Sequence, residues 1–173
     1  MNRENKRILI LEDRDEVAQI AGLLNNHGYS VIRARDIKEA IWYLEVEPCI
    51  IANFIPYHAI LLDTTVPGCG GQYMVPGTKT QRTIDHHKGA NGYAYYRDYF
   101  IGENAVERLK HYAEEGRCAF YTAYRQEIFV WASDDGFTLH NMPLYEKGTQ
   151  NLAEKICNWL DELPQTGYAE FDE

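Results

Sequence analysis

Positive charge is scarce in this chain. Seventeen lysines and arginines face twenty-six aspartates and glutamates, leaving a formal net charge of −9 at pH 7. Such a surface is poorly suited to the phosphate backbone of nucleic acid or to an anionic membrane. Long apolar runs are missing too. The first is only Ile8 to Leu11, whereas a signal peptide needs about seven or more apolar residues and a membrane span about twenty. The four cysteines, Cys49, Cys69, Cys118 and Cys157, are far apart and form no C-x-x-C pair. They read as free thiols of a reducing, cytoplasmic compartment rather than a disulfide framework.

What is present is enough for a core. Hydrophobic residues make up 45% of the 173 positions and charges are spread along the chain, which excludes wholesale disorder and suits one domain of ordinary size. Strand and helix signals alternate. Arg7 to Leu11 and Ala59 to Leu62 are short, continuous apolar runs, the pattern of strands buried on both faces of a parallel sheet. Each ends on acids, Glu12-Asp13 and Asp63. Tyr29 to Ala34 and Cys118 to Thr122 read as strands, and Phe137 to Asn141 is expected to be the fifth. Between them, Val17, Ile20, Ala21 and Leu24 recur at helical spacing up to Gly28, and Asp36 with Glu39 resembles a capping box before Ile37, Ala40, Ile41 and Leu44. Helical patterns return at Ala105 to Ala113, closed by Gly116, at Ile128 to Ala132, and at Leu152 to Leu163. Trp42, Trp131 and Trp159 fall on helices and read as packing residues, and Cys118 reads as a small core hydrophobe. Alternation of this kind implies a three-layer α/β/α sandwich around a five-stranded parallel sheet, with ligands bound beyond the carboxyl ends of the strands.

That placement brings Glu12, Asp13 and Asp63 to one crevice. Three neighbouring carboxylates repel, so either some are protonated or a cation sits among them. Oxygen ligands in a partly hydrated pocket suit Mg²⁺. A carboxylate beside Mg²⁺ is also a competent nucleophile toward phosphorus.

With these residues in view, the chain resembles the CheY-like receiver domains of two-component response regulators. The resemblance runs from Lys6-Arg7-Ile8-Leu9-Ile10-Leu11-Glu12-Asp13 through Ile60-Leu61-Leu62-Asp63-Thr64-Thr65-Val66-Pro67-Gly68 to Phe120-Tyr121-Thr122-Ala123. It implies a flavodoxin-like sheet in the order 2-1-3-4-5, within a single domain over residues 1–163 carrying an insertion at about 69–102. An acidic, mobile tail is expected over 164–173, with no output domain expected after it. It implies that Asp63 accepts a phosphoryl group from a histidine kinase or phosphotransfer protein. Glu12, Asp13, Asp63 and the Thr65 backbone carbonyl would hold Mg²⁺, and Thr122 would supply the switch hydroxyl. A downstream protein would dock on the fourth helix, fifth strand and fifth helix. In physical terms a new group of about −1.5 to −2 charges recruits donors and biases a two-state element. The family also places a lysine just before a proline at the end of the fifth strand. Here Asn141-Met142-Pro143 occupies the expected position, so Met142 replaces the cation, and Lys147 is expected at the start of the last helix.

The stretch from Cys69 to Gly102 is rich in Gly and Tyr and shows no clean periodicity. Lys79, Arg82, Lys88 and Arg97 outnumber Asp85 and Asp98, a net of +2 that leaves −11 for the rest. A basic flap beside an acidic pocket suggests that Lys79, Arg82 or Lys88 replaces the missing lysine or controls entry of the phosphodonor. Its other motifs are weak. Asp85-His86-His87 lacks companion metal-binding motifs, and adjacent histidines diverge in an extended chain. Gly77-Thr78-Lys79-Thr80 is one residue out of register for a nucleotide-binding loop. Tyr93, Tyr95, Tyr96, Tyr99 and Phe100 around Arg97 suit base stacking, which the overall acidity disfavours, a protein interface, or internal packing. Two further functions stay open: a receiver-like module that binds proteins without phosphorylation, and an aspartate-based phosphohydrolase. The latter lacks an acid two residues after the nucleophile, where Thr65 stands.

Overall fold

A computed structural model describes residues 6–15, 18–66, 71–74, 81–84, 90–136, 139 and 142–165. Strands β1 (Arg7–Leu11), β2 (Ser30–Ala34), β3 (Ala59–Leu62), β6 (Cys118–Thr122) and β7 (Leu144–Glu146) form one sheet in the order β2-β1-β3-β6-β7. All of its pairings are parallel. Relabelled by position in this sheet, the order is the expected 2-1-3-4-5.

The continuous apolar runs follow from the position of β1 and β3 inside this sheet. Leu9 and Leu11 lie beside Ile60 and Leu62 in register and join one core cluster with Phe120. The alternate residues, Ile8 and Ile10, join Ala59, Leu61 and Ala119 in a second cluster on the opposite face. Both faces are dry, so alternation with polar residues would have buried unpaired groups. Helices α1 (Ala18–Asn26) and α7 (Leu152–Glu162) cover the second cluster through Ile20, Leu24, Ile156 and Leu160. The first is covered by α2 (Ile37–Ile41), α4 (Asn91–Tyr96), α5 (Glu107–Glu114) and α6 (Arg125–Asp134). Each fully buried Leu or Ile contributes roughly 1.5–3 kcal/mol.

Local signals act as expected at several helix ends. Gly28 and Gly116 adopt φ of 91° and 68°, the left-handed conformation that lets a helix stop. Asp36 accepts a hydrogen bond from the Glu39 amide at 2.8 Å, and the Glu39 carboxylate accepts one from the Arg35 amide at 2.7 Å. The box is therefore reciprocal, with its return bond displaced by one residue. Helix α2 runs into a π-helical stretch, Trp42–Val46, and then α3 (Glu47–Ile50). Trp42 is 43% exposed on this extension, which corrects its reading as a packing residue. Trp131 does pack, its ring 5.4 Å from Tyr93, and Trp159 lies 6.0 Å from Tyr145. Cys118 is buried, which raises its thiol pKa well above the ordinary value.

Two segments depart from expectation. Within Cys69 to Gly102, the described part begins with an antiparallel pair, β4 (Gly71–Met74) and β5 (Gln81–Ile84), and continues as α4 and a π-helical stretch, Arg97–Ile101. This helix escapes a periodicity search because it is aromatic nearly all round. Tyr93, Tyr95, Tyr96, Tyr99 and Phe100 are all buried, so the aromatic run serves internal packing. The Tyr93 and Tyr95 hydroxyls donate to Asp135 and Glu45 at 2.6 and 2.8 Å, which lets tyrosine stand in a core. Arg97 is bound to Asp98 at 2.8 Å and Asp135 at 3.2 Å, so it is no free basic group.

The second departure is the fifth strand of the sheet. It is Leu144–Glu146, not Phe137 to Asn141, most of which lies outside the described residues. Strand β7 is an edge of three partly exposed residues, and an edge strand needs little apolar sequence. Met142, expected at the end of this strand, instead precedes it and packs against the larger core cluster.

Candidate functional site

A parallel sheet delivers every strand's carboxyl end to the same rim, and residues distant in sequence meet there. The Glu12 amide donates to the Ala34 carbonyl at 2.9 Å and the Asp63 amide to the Leu11 carbonyl at 2.9 Å. Each acid is thereby held one residue beyond its strand. Carboxylate oxygens of Glu12, Asp13 and Asp63 lie within 4.8 Å of one another. Glu12 and Asp63 are buried, at 0% and 1% exposure.

The same rim receives a lysine. The Lys147 amide donates to the Thr122 carbonyl at 2.9 Å, continuing the β6–β7 pairing one residue past the strand. Its Nζ donates to Asp63 Oδ2 at 2.7 Å and contacts Glu12 Oε2. The face of Tyr121 lies 5.1 Å away, a favourable seat for an ammonium. Lys147 therefore stands in a turn at the acidic pocket rather than at the start of the last helix. The expectation of a pocket without a lysine is corrected, because shifting the fifth strand toward the C-terminus moves the residue just past its end from Met142 to Lys147.

Electrostatics follow from burial. Desolvation, with the Asp63 charge nearby, outweighs the hydrogen bonds from Lys147 and the Arg14 amide and pushes the Glu12 pKa up to about 7. Burial alone would lower the Lys147 pKa, but its bonds to Asp63 and Glu12 raise it on balance. With all three acids ionised, one ammonium leaves two negative charges, the complement of a divalent cation. The donor set is all oxygen, which suits Mg²⁺. Asp13 Oδ1 is buried without a hydrogen-bond partner among the described residues, a costly state that a metal ligand resolves. The residues present therefore fit such an ion.

Thr122 lies where the sequence pattern put it, at the end of β6. Its buried hydroxyl is 2.8 Å from that of Thr64 and accepts from the Tyr124 amide at 2.9 Å. The Thr65 amide donates to Asp63 Oδ1 at 3.2 Å. Of the three basic candidates in the flap, Lys79 and Lys88 lie outside the described residues. Arg82 is on β5 opposite Tyr73, and its side chain also lies outside them, as do those of Asp85, His86 and His87. A cleft of about 560 Å³ opens beside the pocket, lined by residues that include Glu12, Arg14, Leu23, His27, Lys147 and Asn151.

Gly92 was not singled out by sequence reasoning. Its amide donates to the Thr64 carbonyl at 3.0 Å. A Cβ built on it would collide with the Asp63 carbonyl oxygen and lie 3.0 Å from the carbonyl carbon, so only glycine permits this approach. The only available signal was an Asn-Gly pair opening a helix. Gly92→Ala is expected to cost about 1–3 kcal/mol in denaturant titrations, because the obstacle is backbone and has no rotamer to yield.

No protein-family model matches this sequence, and no curated protein matches it. Solved structures do. The bacteriophytochrome response regulator AtBRR aligns with a TM-score of 0.56 at 16% identity, over 96% of this chain and 99% of its own. The phosphorylated cyanobacterial phytochrome response regulator RcpA aligns at 0.54 and 20%, over 93% and 97%. The receiver domain of a sensor histidine kinase from Pseudomonas aeruginosa, solved with a magnesium ion coordinated in its active-site cleft, aligns at 0.51 and 17%, over 92% and 97%. These likenesses establish the fold: the chain has the architecture of a CheY-like response-regulator receiver domain.

Proposed function

We propose that this protein is a response-regulator receiver that accepts a phosphoryl group on Asp63 in a Mg²⁺-dependent step. The observation carrying this reading is the meeting of Glu12, Asp13 and Asp63 within 4.8 Å, with Lys147 on Asp63 and Thr122 at the adjacent strand end. Glu12, Asp13, Asp63 and the Thr65 carbonyl would hold the ion, whose positive charge would offset the negative charge of the entering phosphoryl oxygens. An Asp63 oxygen attacks phosphorus of a phosphohistidine. The P–N bond breaks as the P–O bond forms, and the imidazole nitrogen keeps the electron pair and takes a proton. Lys147, already at Asp63, donates to the transferred group. Thr122 exchanges its Thr64 partner for a phosphoryl oxygen, and the Tyr124 amide bound to it carries the change toward α6.

The donor is a histidine kinase or phosphotransfer protein, and the protein acts in the cytoplasm by docking rather than by turnover of a metabolite. The output surface is the face of α6, β7 and α7, where Phe129 and Val130 are exposed at 46% and 58%. A pocket without a lysine would favour phosphorylation-independent binding, and Lys147 removes that argument. Lys79, Arg82 and Lys88 are then candidates for donor recognition rather than for replacing it.

Incubation with Mg²⁺ and acetyl phosphate, followed by intact-mass measurement, tests the reading. The expected result is a gain of one phosphoryl group that hydroxylamine removes and Asp63→Asn abolishes. A folded wild-type protein that gains no mass would overturn it in favour of the binding module. Rapid multiple turnover of phosphate esters would point instead to a phosphohydrolase.

A further inference from the structure

The turn after Asp63 is clamped on both sides of one peptide. The Thr64 carbonyl accepts from the Gly92 and Tyr93 amides at 3.0 and 3.4 Å. The Val66 carbonyl accepts from Asn91 Nδ2 at 3.0 Å. Between them, the Thr65 carbonyl takes no backbone hydrogen bond among the described residues.

Asn91 is costly where it stands. It is only 4% exposed, and its Oδ1 is buried without a hydrogen-bond partner among the described residues. An unmet buried acceptor destabilises the fold, so an apolar residue would favour the fold unless the Nδ2 bond serves a purpose. That bond fixes the carbonyl that follows the one assigned above to the cation.

We infer that Asn91 is a positioning residue for the divalent ion. By holding Val66 while the start of α4 holds Thr64, it pre-sets the Thr65 carbonyl as a ligand. The inference rests on the receiver reading of the site and adds a residue that touches neither ion nor phosphate. Val66 and Ala90, at the two roots of the β4–β5 segment, are both buried.

The test uses the full chain and Mn²⁺, whose free concentration is read by electron paramagnetic resonance well below each variant's melting temperature. Asn91→Ala and the near-isosteric Asn91→Asp, which presents an acceptor to the Val66 carbonyl, are each expected to weaken Mn²⁺ binding about tenfold or more, as loss of an orienting partner does. A purely structural Asn91 would lower metal-free stability yet leave the affinity of the folded protein unchanged. Folded variants binding within twofold of wild type overturn the inference and leave the receiver reading standing. A wild-type protein that binds no Mn²⁺ overturns both. Should Asn91→Ala fail to fold, Asn91→Asp keeps the side-chain volume and decides the matter alone.

Discussion

Lys147→Met is expected to destabilise the metal-free protein by about 3–5 kcal/mol, the usual consequence of removing one partner from a buried ion pair. The Lys147 ammonium is bonded to Asp63 and Glu12, whose side chains are 2% and 0% exposed. Taking it away leaves two buried carboxylates facing each other with Asp13 alongside. Urea titration without divalent ions measures the loss. Mg²⁺ is expected to recover a larger share of stability in this variant than in wild type, because the ion supplies the missing counter-charge. Phosphorylation should also slow, since the lost charge-assisted hydrogen bond is worth roughly 1.5–3 kcal/mol, or about ten- to a hundredfold in rate. Met142→Ala should leave the phosphorylation rate unchanged. A Lys147 variant as stable and as readily phosphorylated as wild type would remove that residue from the site.

The second large effect concerns pH. Burial lifts the Glu12 pKa from 4.5 to about 7, so in this range the folded metal-free protein binds a proton that the unfolded chain releases. A carboxylate raised in this way contributes its full stability below about pH 4.5 and loses it as the pH climbs through 7. Glu12→Gln, which keeps the shape and cannot ionise, should match wild type near pH 4.5. Above pH 7.5 it should exceed wild type by about 3 kcal/mol, since each tenfold change in proton affinity is worth about 1.4 kcal/mol. Paired denaturation curves across that range give the difference directly and cancel contributions common to both proteins. His58 is one such contribution: burial lowers its pKa, so its stability is lost in the opposite direction, as the pH falls below 6.5. A constant difference between the two proteins would show that Glu12 titrates normally.

Much of the site was legible because strands buried on both faces must be continuously apolar, and their ends are then marked by the first charged residue. Leu11 into Glu12-Asp13 and Leu62 into Asp63 follow this rule, and Tyr121-Thr122 ends its apolar run on a hydroxyl. All three reach the rim. The rule fails at β7. There the sheet ends, one side is open, and Leu144-Tyr145-Glu146 carries no stronger signal than the run before it. Lys147 was consequently in plain sight but assigned to the wrong element. Helix α4 was hidden for the opposite reason: its tyrosines satisfy their hydroxyls against Asp135 and Glu45, partners distant in sequence, and so appear on faces where a polar group was expected.

The layered parallel fold and the three acids at its rim were set by local pattern, because the period of apolar residues and the residue that breaks it are properties of a local stretch. Which cation stands on Asp63, how closely α4 approaches that residue through Gly92, and which carbonyls Asn91 and its neighbours clamp emerged from the folded arrangement. Those depend on through-space distances of a few ångströms between segments that no local pattern relates.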